Sequence, residues 1–165
     1  MARVGVLANV ANPVLVAQLE NVRSTAEALR VKVEVFEVRS NMEVASALEN
    51  LQAARPDGVL VTADLLLMSK RAEIVTALTN ARLPAVYPFR EYAGVGGLAI
   101  LGADFAALFE RAAGYVDRIL KGAKPSELPV QLATQFEMII NLKAAATIGL
   151  TIPPALVARA DEVME

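Results

Sequence analysis

Polar side chains that could bind a small ligand follow three of the chain segments that have strand character. Asn9 and Asn12 come after the first such segment, and Asp64 comes after the third. Arg90 and Glu91 follow the fourth. Amide groups can donate to a carboxylate, and carboxylates can accept hydrogen bonds from an ammonium group. These residue types therefore indicate a site for a small zwitterionic ligand.

Aromatic and glycine residues extend this group after the fourth segment. Phe89 and Tyr92 supply rings that can contact the apolar part of a ligand, and Gly94, Gly96 and Gly97 supply a flexible turn. We expect all of these positions to meet at one edge of a sheet. The predicted ligand-binding residues are Asn9, Asn12, Asp64, Phe89, Glu91, Gly96 and Gly97.

Each of these residues also has a purely structural interpretation. Asn9 and Asn12 are typical of turns and helix caps, and Asp64 could cap the helix that follows it. Arg90 and Glu91 could form a solvated ion pair that contributes little stability. The glycine turn lacks the dinucleotide-binding fingerprint, so no nucleotide cofactor is predicted.

The composition argues against several classes of function. The chain has no Cys and no His, which removes thiol nucleophiles, the usual zinc sites and the commonest general base. Its 16 basic and 18 acidic residues include no basic block, which argues against nucleic acid as a partner. We therefore predict no catalytic residue, metal or cofactor. The alternatives are a flavodoxin-like enzyme that uses Asp64, Arg90 and Glu91, and an interaction domain without a small-molecule ligand.

Alternating strand and helix patterns must position these residues. Between the strands, Asn12 and Pro13 predict the start of one helix, and Ser40 and Glu43 have the spacing of a capping box for the next. A third helix is predicted over residues 69–81. This alternation predicts an α/β fold, a doubly wound parallel sheet with flanking helices. The four predicted strands span residues 3–8, 31–38, 58–62 and 84–87.

The second part of the chain is less regular. We predict a short strand over residues 98–101, a helix capped by Asp104, a strand over residues 136–141 and a tail broken by prolines. The helix after Asp104 has a broad apolar face, and exposed patches of this extent are unusual on monomers. We therefore expect a homodimer that exchanges residues 98–121, with folding back onto the same chain as the alternative. The apolar face comprises Phe105, Leu108, Phe109, Ala112, Val116 and Ile119.

Five stretches, in the same order along the chain, resemble the C-terminal half of ABC transporter substrate-binding proteins of the tryptophan/tyrosine type. One small departure is Asn9-Val10, where the family often has Asn-Pro. The stretches are RVGVLANVANP, LPAVYPFREYAGVGGL, YVDRILKGAKPSELPV, FEMIINLKAAATIGLTIPP and ARADEVME.

This resemblance implies that residues 1–165 form a single α/β domain like the second lobe of a periplasmic binding protein. Residues 98–124 would resemble an excursion into a first lobe. The implied partners are an amino acid or small organic acid and an ABC permease. The implied location is periplasmic, although the sequence shows no signal peptide, so a native product of this length would be cytoplasmic. Asn9 and Asn12 would donate to the ligand carboxylate, Asp64 or Glu91 would accept from its ammonium group, and Phe89 would pack against its apolar part.

Overall fold

Seven strands form one sheet. The strands are β1 (Arg3–Asn9), β2 (Lys32–Val38), β3 (Gly58–Val61), β4 (Ala85–Tyr87), β5 (Ala99–Ala103), β6 (Phe136–Asn141) and β7 (Glu162–Met164). Their order across the sheet is β2-β1-β3-β4-β5-β6-β7. The computed structural model describes residues 1–165 except for the side chain of Val16. Neighbouring strands are parallel apart from β5 and β6, which are antiparallel. The predicted doubly wound sheet is therefore confirmed.

Helices flank the sheet, and two 3-10 helices, at Arg90–Val95 and Pro125–Glu127, lie in the connections. In the part of the chain that the structure describes, no helix is long and apolar enough to cross a membrane. The α-helices are α1 (Leu15–Leu29), α2 (Val44–Ala54), α3 (Leu65–Ser69), α4 (Arg71–Asn80), α5 (Phe105–Leu120), α6 (Leu142–Ile148) and α7 (Pro154–Val157).

The core lies mainly between the sheet and the helices α2, α3 and α4. Leu51, Ile74 and Leu78 are fully buried there, and they come from helix positions with the spacing of one face. Side chains alternate between the two faces of a strand, so Val6 and Ala8 of β1 pack instead against α1 in a smaller cluster. The predicted inward stripe of α2 is confirmed: Val44, Ala47, Leu48 and Leu51 are all buried.

Several predicted helix boundaries are wrong. The first helix begins at Leu15, because Asn12 lies in a turn where its Oδ1 accepts a hydrogen bond from the backbone N–H of Val14 at 3.0 Å. Glu43 accepts from the backbone N–H of Arg39 at 3.0 Å, so the Ser40 motif does not form the predicted capping box. The helix predicted over residues 69–81 is confirmed as α4, with Ile74 and Leu78 buried, and a separate short helix, α3, precedes it. The tail also contains a short strand, β7, which the sequence analysis did not predict because prolines precede it.

The 3-10 helix at Arg90–Val95 carries the chain from the carboxyl end of β4 back to the amino end of β5. Gly96 ends it in the left-handed region at φ 91°, a conformation that glycine adopts without strain. A Cβ atom on Gly97 would lie 2.8 Å from the backbone oxygen of Tyr92, which is closer than such contacts allow. Both glycines are therefore required by the path of this connection.

Residues 104–135 leave the sheet and form a segment that we call the arm. Asp104 caps α5 as predicted, with its Oδ1 accepting from the N–H of Ala107 at 3.1 Å. Arg111 and Tyr115 bond α5 to the returning segment, since the Tyr115 hydroxyl donates to the oxygen of Pro129 at 2.6 Å and Arg111 donates to Thr134 at 3.0 Å. None of the residues of α5 is buried. Because β5 belongs to the sheet, the chain leaves the sheet after residue 103 and returns to it at residue 136.

The close contact at Gly97 predicts a clear difference between two glycines of one connection. Gly97→Ala should destabilise the fold by about 1–3 kcal/mol, because the new methyl group meets backbone that cannot move freely. A methyl group added at Gly94 would meet no atom within 4 Å, so Gly94→Ala is the matched control and should change stability by less than about 1 kcal/mol. Urea unfolding measures both, and equal stability of the two variants would contradict the expectation.

Candidate functional site

Three of the predicted site residues meet at the carboxyl edge of the sheet. The Nδ2 atom of Asn9 donates to Oδ1 of Asp64 at 3.1 Å, and Nδ2 of Asn12 donates to Oδ2 of Asp64 at 2.8 Å. Asn9 is the last residue of β1, and Asp64 stands just before α3. Parallel pairing of β1 with β3 brings these two strand ends side by side.

Asp64 also caps α3. Its Oδ1 accepts hydrogen bonds from the backbone N–H groups of Leu66 at 2.8 Å and Leu67 at 3.3 Å. Burial opposes ionisation of this carboxyl group, which is only 7% exposed, but the hydrogen bonds from Asn12, Asn9 and the two amides outweigh it. The pKa of Asp64 therefore lies below its ordinary value. The capping interpretation of Asp64 is thus correct, and it coexists with the contact to both amides.

Part of the hydrogen-bonding capacity of this cluster is still free. Oδ2 of Asp64 accepts one hydrogen bond, from Asn12, whereas Oδ1 accepts three. A carboxylate oxygen offers about two lone pairs, so Oδ2 can accept from a further donor. Each amide nitrogen uses one of its two N–H groups on Asp64. The edge can therefore both donate to and accept from a bound polar group.

An aromatic pair lies farther along the same edge. The rings of Phe89 and Phe105 are 5.8 Å apart and tilted by 55°. Phe89 follows β4 and Phe105 follows β5, so both come from the carboxyl ends of parallel neighbours. Phe89 is half-buried against the core, while Phe105 is exposed. The sequence interpretation placed Phe105 in a core or an interface; its position directly after the Asp104 cap is the signal that could have placed it here.

Two tyrosines support the connection beneath Phe89. The rings of Tyr87 and Tyr92 stack with centroids 4.7 Å apart, and both side chains are buried. The hydroxyl of Tyr92 has no hydrogen-bond partner, alone among fully buried side-chain polar atoms in the described part of the chain. Burial raises the pKa of Tyr92, and nearby Arg71 opposes that shift without reversing it. Tyr92 is thus a neutral core residue and does not present its ring at the edge as predicted.

The other predicted site residues lie apart from this cluster. Arg90 does not pair with Glu91: its guanidinium bonds Glu137, at 2.6 Å, and Glu162. Glu91 is exposed and borders a cleft of about 350 Å³ together with Arg90 and Glu162.

The expectation that the glycine turn joins the carboxyl edge is wrong. The 3-10 helix returns the chain to the amino end of β5 before Gly96 and Gly97 are reached. Gly96 borders a different cleft, of about 360 Å³, beside Asn80 at the end of α4. The Asn9–Asn12–Asp64 cluster and the Phe89–Phe105 pair therefore lie at the carboxyl edge, whereas Gly96 and Gly97 do not.

Comparison with known proteins identifies relatives over the whole chain. The model of the family described as ABC transporter substrate binding protein matches residues 1–164. No curated protein matches the chain.

Three solved structures are similar in fold. A conserved domain protein from Vibrio cholerae O1 biovar El Tor is 28% identical with a TM-score of 0.90, and the match covers 98% of this chain and 54% of that one. An ABC domain in complex with L-Trp from Streptococcus pneumonia is also 28% identical, with a TM-score of 0.89 and coverage of 99% and 56%. A ligand-free, open substrate binding protein with adhesive properties from Clostridium difficile is 20% identical, with a TM-score of 0.73 and coverage of 99% and 54%. The chain thus spans about half the length of these proteins.

The geometry of Asp64 predicts a structural cost for its removal. Asp64→Ala should destabilise the fold by about 2 kcal/mol, because α3 loses its cap and two amide groups lose their acceptor. Asp117, exposed and paired with Lys121 on α5, is the matched control, and Asp117→Ala should cost less than about 0.5 kcal/mol. Chemical denaturation compares the two, and an Asp64→Ala variant as stable as the control would show that the cluster contributes nothing to the fold.

Proposed function

We propose a function from the premise that the chain belongs to the family of ABC transporter substrate-binding proteins. We infer that it is a solute-binding component, or half of one, that binds a small molecule without catalysis. The observation that carries this proposal is the convergence of Asn9, Asn12 and Asp64 at the carboxyl edge of a parallel sheet, where open α/β folds bind ligands.

The proposed contacts follow from the free hydrogen-bonding capacity of this edge. The second N–H groups of Asn9 and Asn12 donate to a ligand carboxylate, and Oδ2 of Asp64 accepts from a ligand ammonium group. Phe89 packs against the apolar part of the ligand. Phe105, whose ring contacts that of Phe89, supplies a second ring at the same place. Glu91 remains a second candidate acceptor, and Gly96 and Gly97 act through the path of the chain.

The proposed ligand is an amino acid, with an aromatic or branched side chain as the first choice, or a small organic acid. Support comes from the pair of phenylalanine rings at the edge and from the Streptococcus relative, whose structure contains L-Trp. The edge offers donors and acceptors a short distance from apolar surface, which suits a zwitterion that carries an apolar side chain.

The proposed absence of catalysis has two supports in the geometry. The pKa of Asp64 is lowered, whereas a carboxyl group that acts as a general acid or base near neutral pH needs a raised pKa. Arg90 is engaged with Glu137 and Glu162, away from Asp64. Neither feature favours the enzyme alternative.

The proposed architecture is the second of two lobes that enclose the ligand between them. Support comes from the half-length match to the solved relatives and from the arm, which leaves the sheet at its carboxyl edge. The arm then belongs with the first lobe, and an ABC permease in the membrane receives the ligand from the periplasmic or outer face.

For this chain alone in solution, we propose a homodimer formed through the arms. Phe109 and Leu120 of α5 are 72% and 82% exposed, and Val116 between them is also exposed. Full burial of each large apolar side chain contributes roughly 1.5–3 kcal/mol, so burial of these side chains between two copies favours association of the arms.

Ligand binding predicts a stabilisation that depends on the edge residues. At about 100 times its dissociation constant, a bound amino acid should stabilise the fold by about 2.7 kcal/mol, and it should be recovered chemically unchanged. Asn12→Ala and Phe89→Ala should weaken binding, while Asn80→Ala, at the opposite end of the sheet, should leave it unchanged. Thermal-shift screening with L-Trp and other amino acids, followed by calorimetry, measures this. Equal affinity in all three variants would place the site elsewhere.

The oligomeric state of the chain can be measured directly. Light scattering coupled to size exclusion should give twice the 17.5 kDa mass of the chain, and Phe109→Asp should shift it to the monomer. Met42→Asp is the control, since Met42 is even more exposed than Phe109 but precedes α2 on the body of the domain. A monomer mass at tens of micromolar that Phe109→Asp leaves unchanged would rule out the dimer.

A further inference from the structure

The connection after β4 crosses over β5 at Gly102. A Cβ atom at this position would lie 1.9 Å from the backbone oxygen of Pro88, so only a glycine permits the crossing. Gly102 pairs with Glu137 on β6, the neighbouring strand. The crossing therefore carries Arg90, two residues after Pro88, toward strands that lie beyond β5 in the sheet.

Arg90 joins two strands through one guanidinium group. Its Nη1 bonds Glu137 on β6 at 2.6 Å, and its Nη2 bonds Glu162 on β7. The side chain of Glu137 is only 18% exposed, and Arg90 is the cation that pairs with both carboxylates in the described part of the chain. Without Arg90, two like charges would stand close together with no neutralising partner.

These contacts lie at the base of the arm. The last residue of β5, Ala103, pairs with Phe136, and the N–H of Asp104 donates to the oxygen of Gln135 at 3.0 Å. Glu137 is therefore two residues from the end of the arm. On the other side of the base, Phe89 contacts Phe105, the first residue of α5. Phe89 and Arg90, two consecutive residues of the connection after β4, thus contact both chain segments from which the arm projects.

We propose that Arg90 is a positioning residue that sets the orientation of the arm relative to the sheet and couples it to the connection carrying Phe89 and Glu91. A displacement of Phe89 or Glu91 by a ligand is transmitted through Arg90 to Glu137 and so to the arm. This role in ligand capture rests on the proposed function, because it assigns the arm to the opposing lobe. The orientation itself is a property of the free chain and can be measured without ligand.

The absence of Cys allows spin labels to be placed on introduced cysteines. Ser126→Cys, in the exposed 3-10 helix of the arm, and Ser46→Cys, exposed on α2, report the distance from the arm to the body of the domain. Pulsed electron resonance at low protein concentration should give one main distance. Arg90→Gln should raise the fraction of arms outside that main peak roughly fivefold, the ratio that corresponds to about 1 kcal/mol for two partly exposed ion pairs.

Controls separate positioning from general loss of stability. Arg39→Gln removes an exposed pair with Glu37 far from the arm and should leave the distances unchanged. Arg90→Lys, which can bond one carboxylate at a time, should give an intermediate fraction. If Arg90→Gln does not fold, the double variant Glu137→Gln with Glu162→Gln removes the same pairs and should broaden the distribution likewise. A distribution unchanged by these variants, or broadened equally by Arg39→Gln, would overturn the proposal. Failure to bind any amino acid would instead contradict the proposed function and leave these distances as they are.

Discussion

The carboxylate of Asp64 is the interaction on which the carboxyl edge of the sheet depends. It joins two turns that are 52–55 residues apart in the sequence, one after β1 and one before α3. A buried charge is tolerated only when hydrogen bonds replace its lost hydration, and here four donors do so. Neither turn can move without leaving a buried donor or acceptor unsatisfied, which costs more than a single hydrogen bond gains. The amide groups at this edge are therefore held in place before any ligand arrives.

The part of the edge next to β5 and β6 is held by ion pairs, which are weaker than the buried hydrogen bonds of Asp64. Arg90, Glu137 and Glu162 are partly exposed, and ion pairs in such surroundings contribute little and weaken with salt. The arm starts and ends beside them. The edge thus combines a part next to β1 and β3 that is held by buried hydrogen bonds with a part next to β5 and β6 that is held by partly exposed ion pairs.

Local patterns were enough to predict six of the seven strands and most of the core, because strand and helix periods depend on neighbours within a few residues. The stripe on α2 and the strand over residues 136–141 are examples. The convergence of Asn9, Asn12 and Asp64 also followed, since parallel strands end at the same edge. The partners of Arg90 did not, because they lie 47 and 72 residues away and carry no local signal. Gly96 and Gly97 were misplaced because a 3-10 helix of six residues reverses the direction of the chain without a clear periodicity.

The arm shows that a correctly predicted apolar helix face does not identify the surface against which that face packs. The apolar face of α5 was predicted from helical spacing, yet no residue of α5 is buried. The reason lies in the base of the arm, where Ala103 pairs with Phe136 and fixes the outgoing and returning segments side by side. The helix α5 packs on the returning segment of the arm through Arg111 and Tyr115, and its apolar side chains Phe109 and Val116 stay exposed. The contacts within the arm therefore leave this apolar face open to a surface outside this sheet.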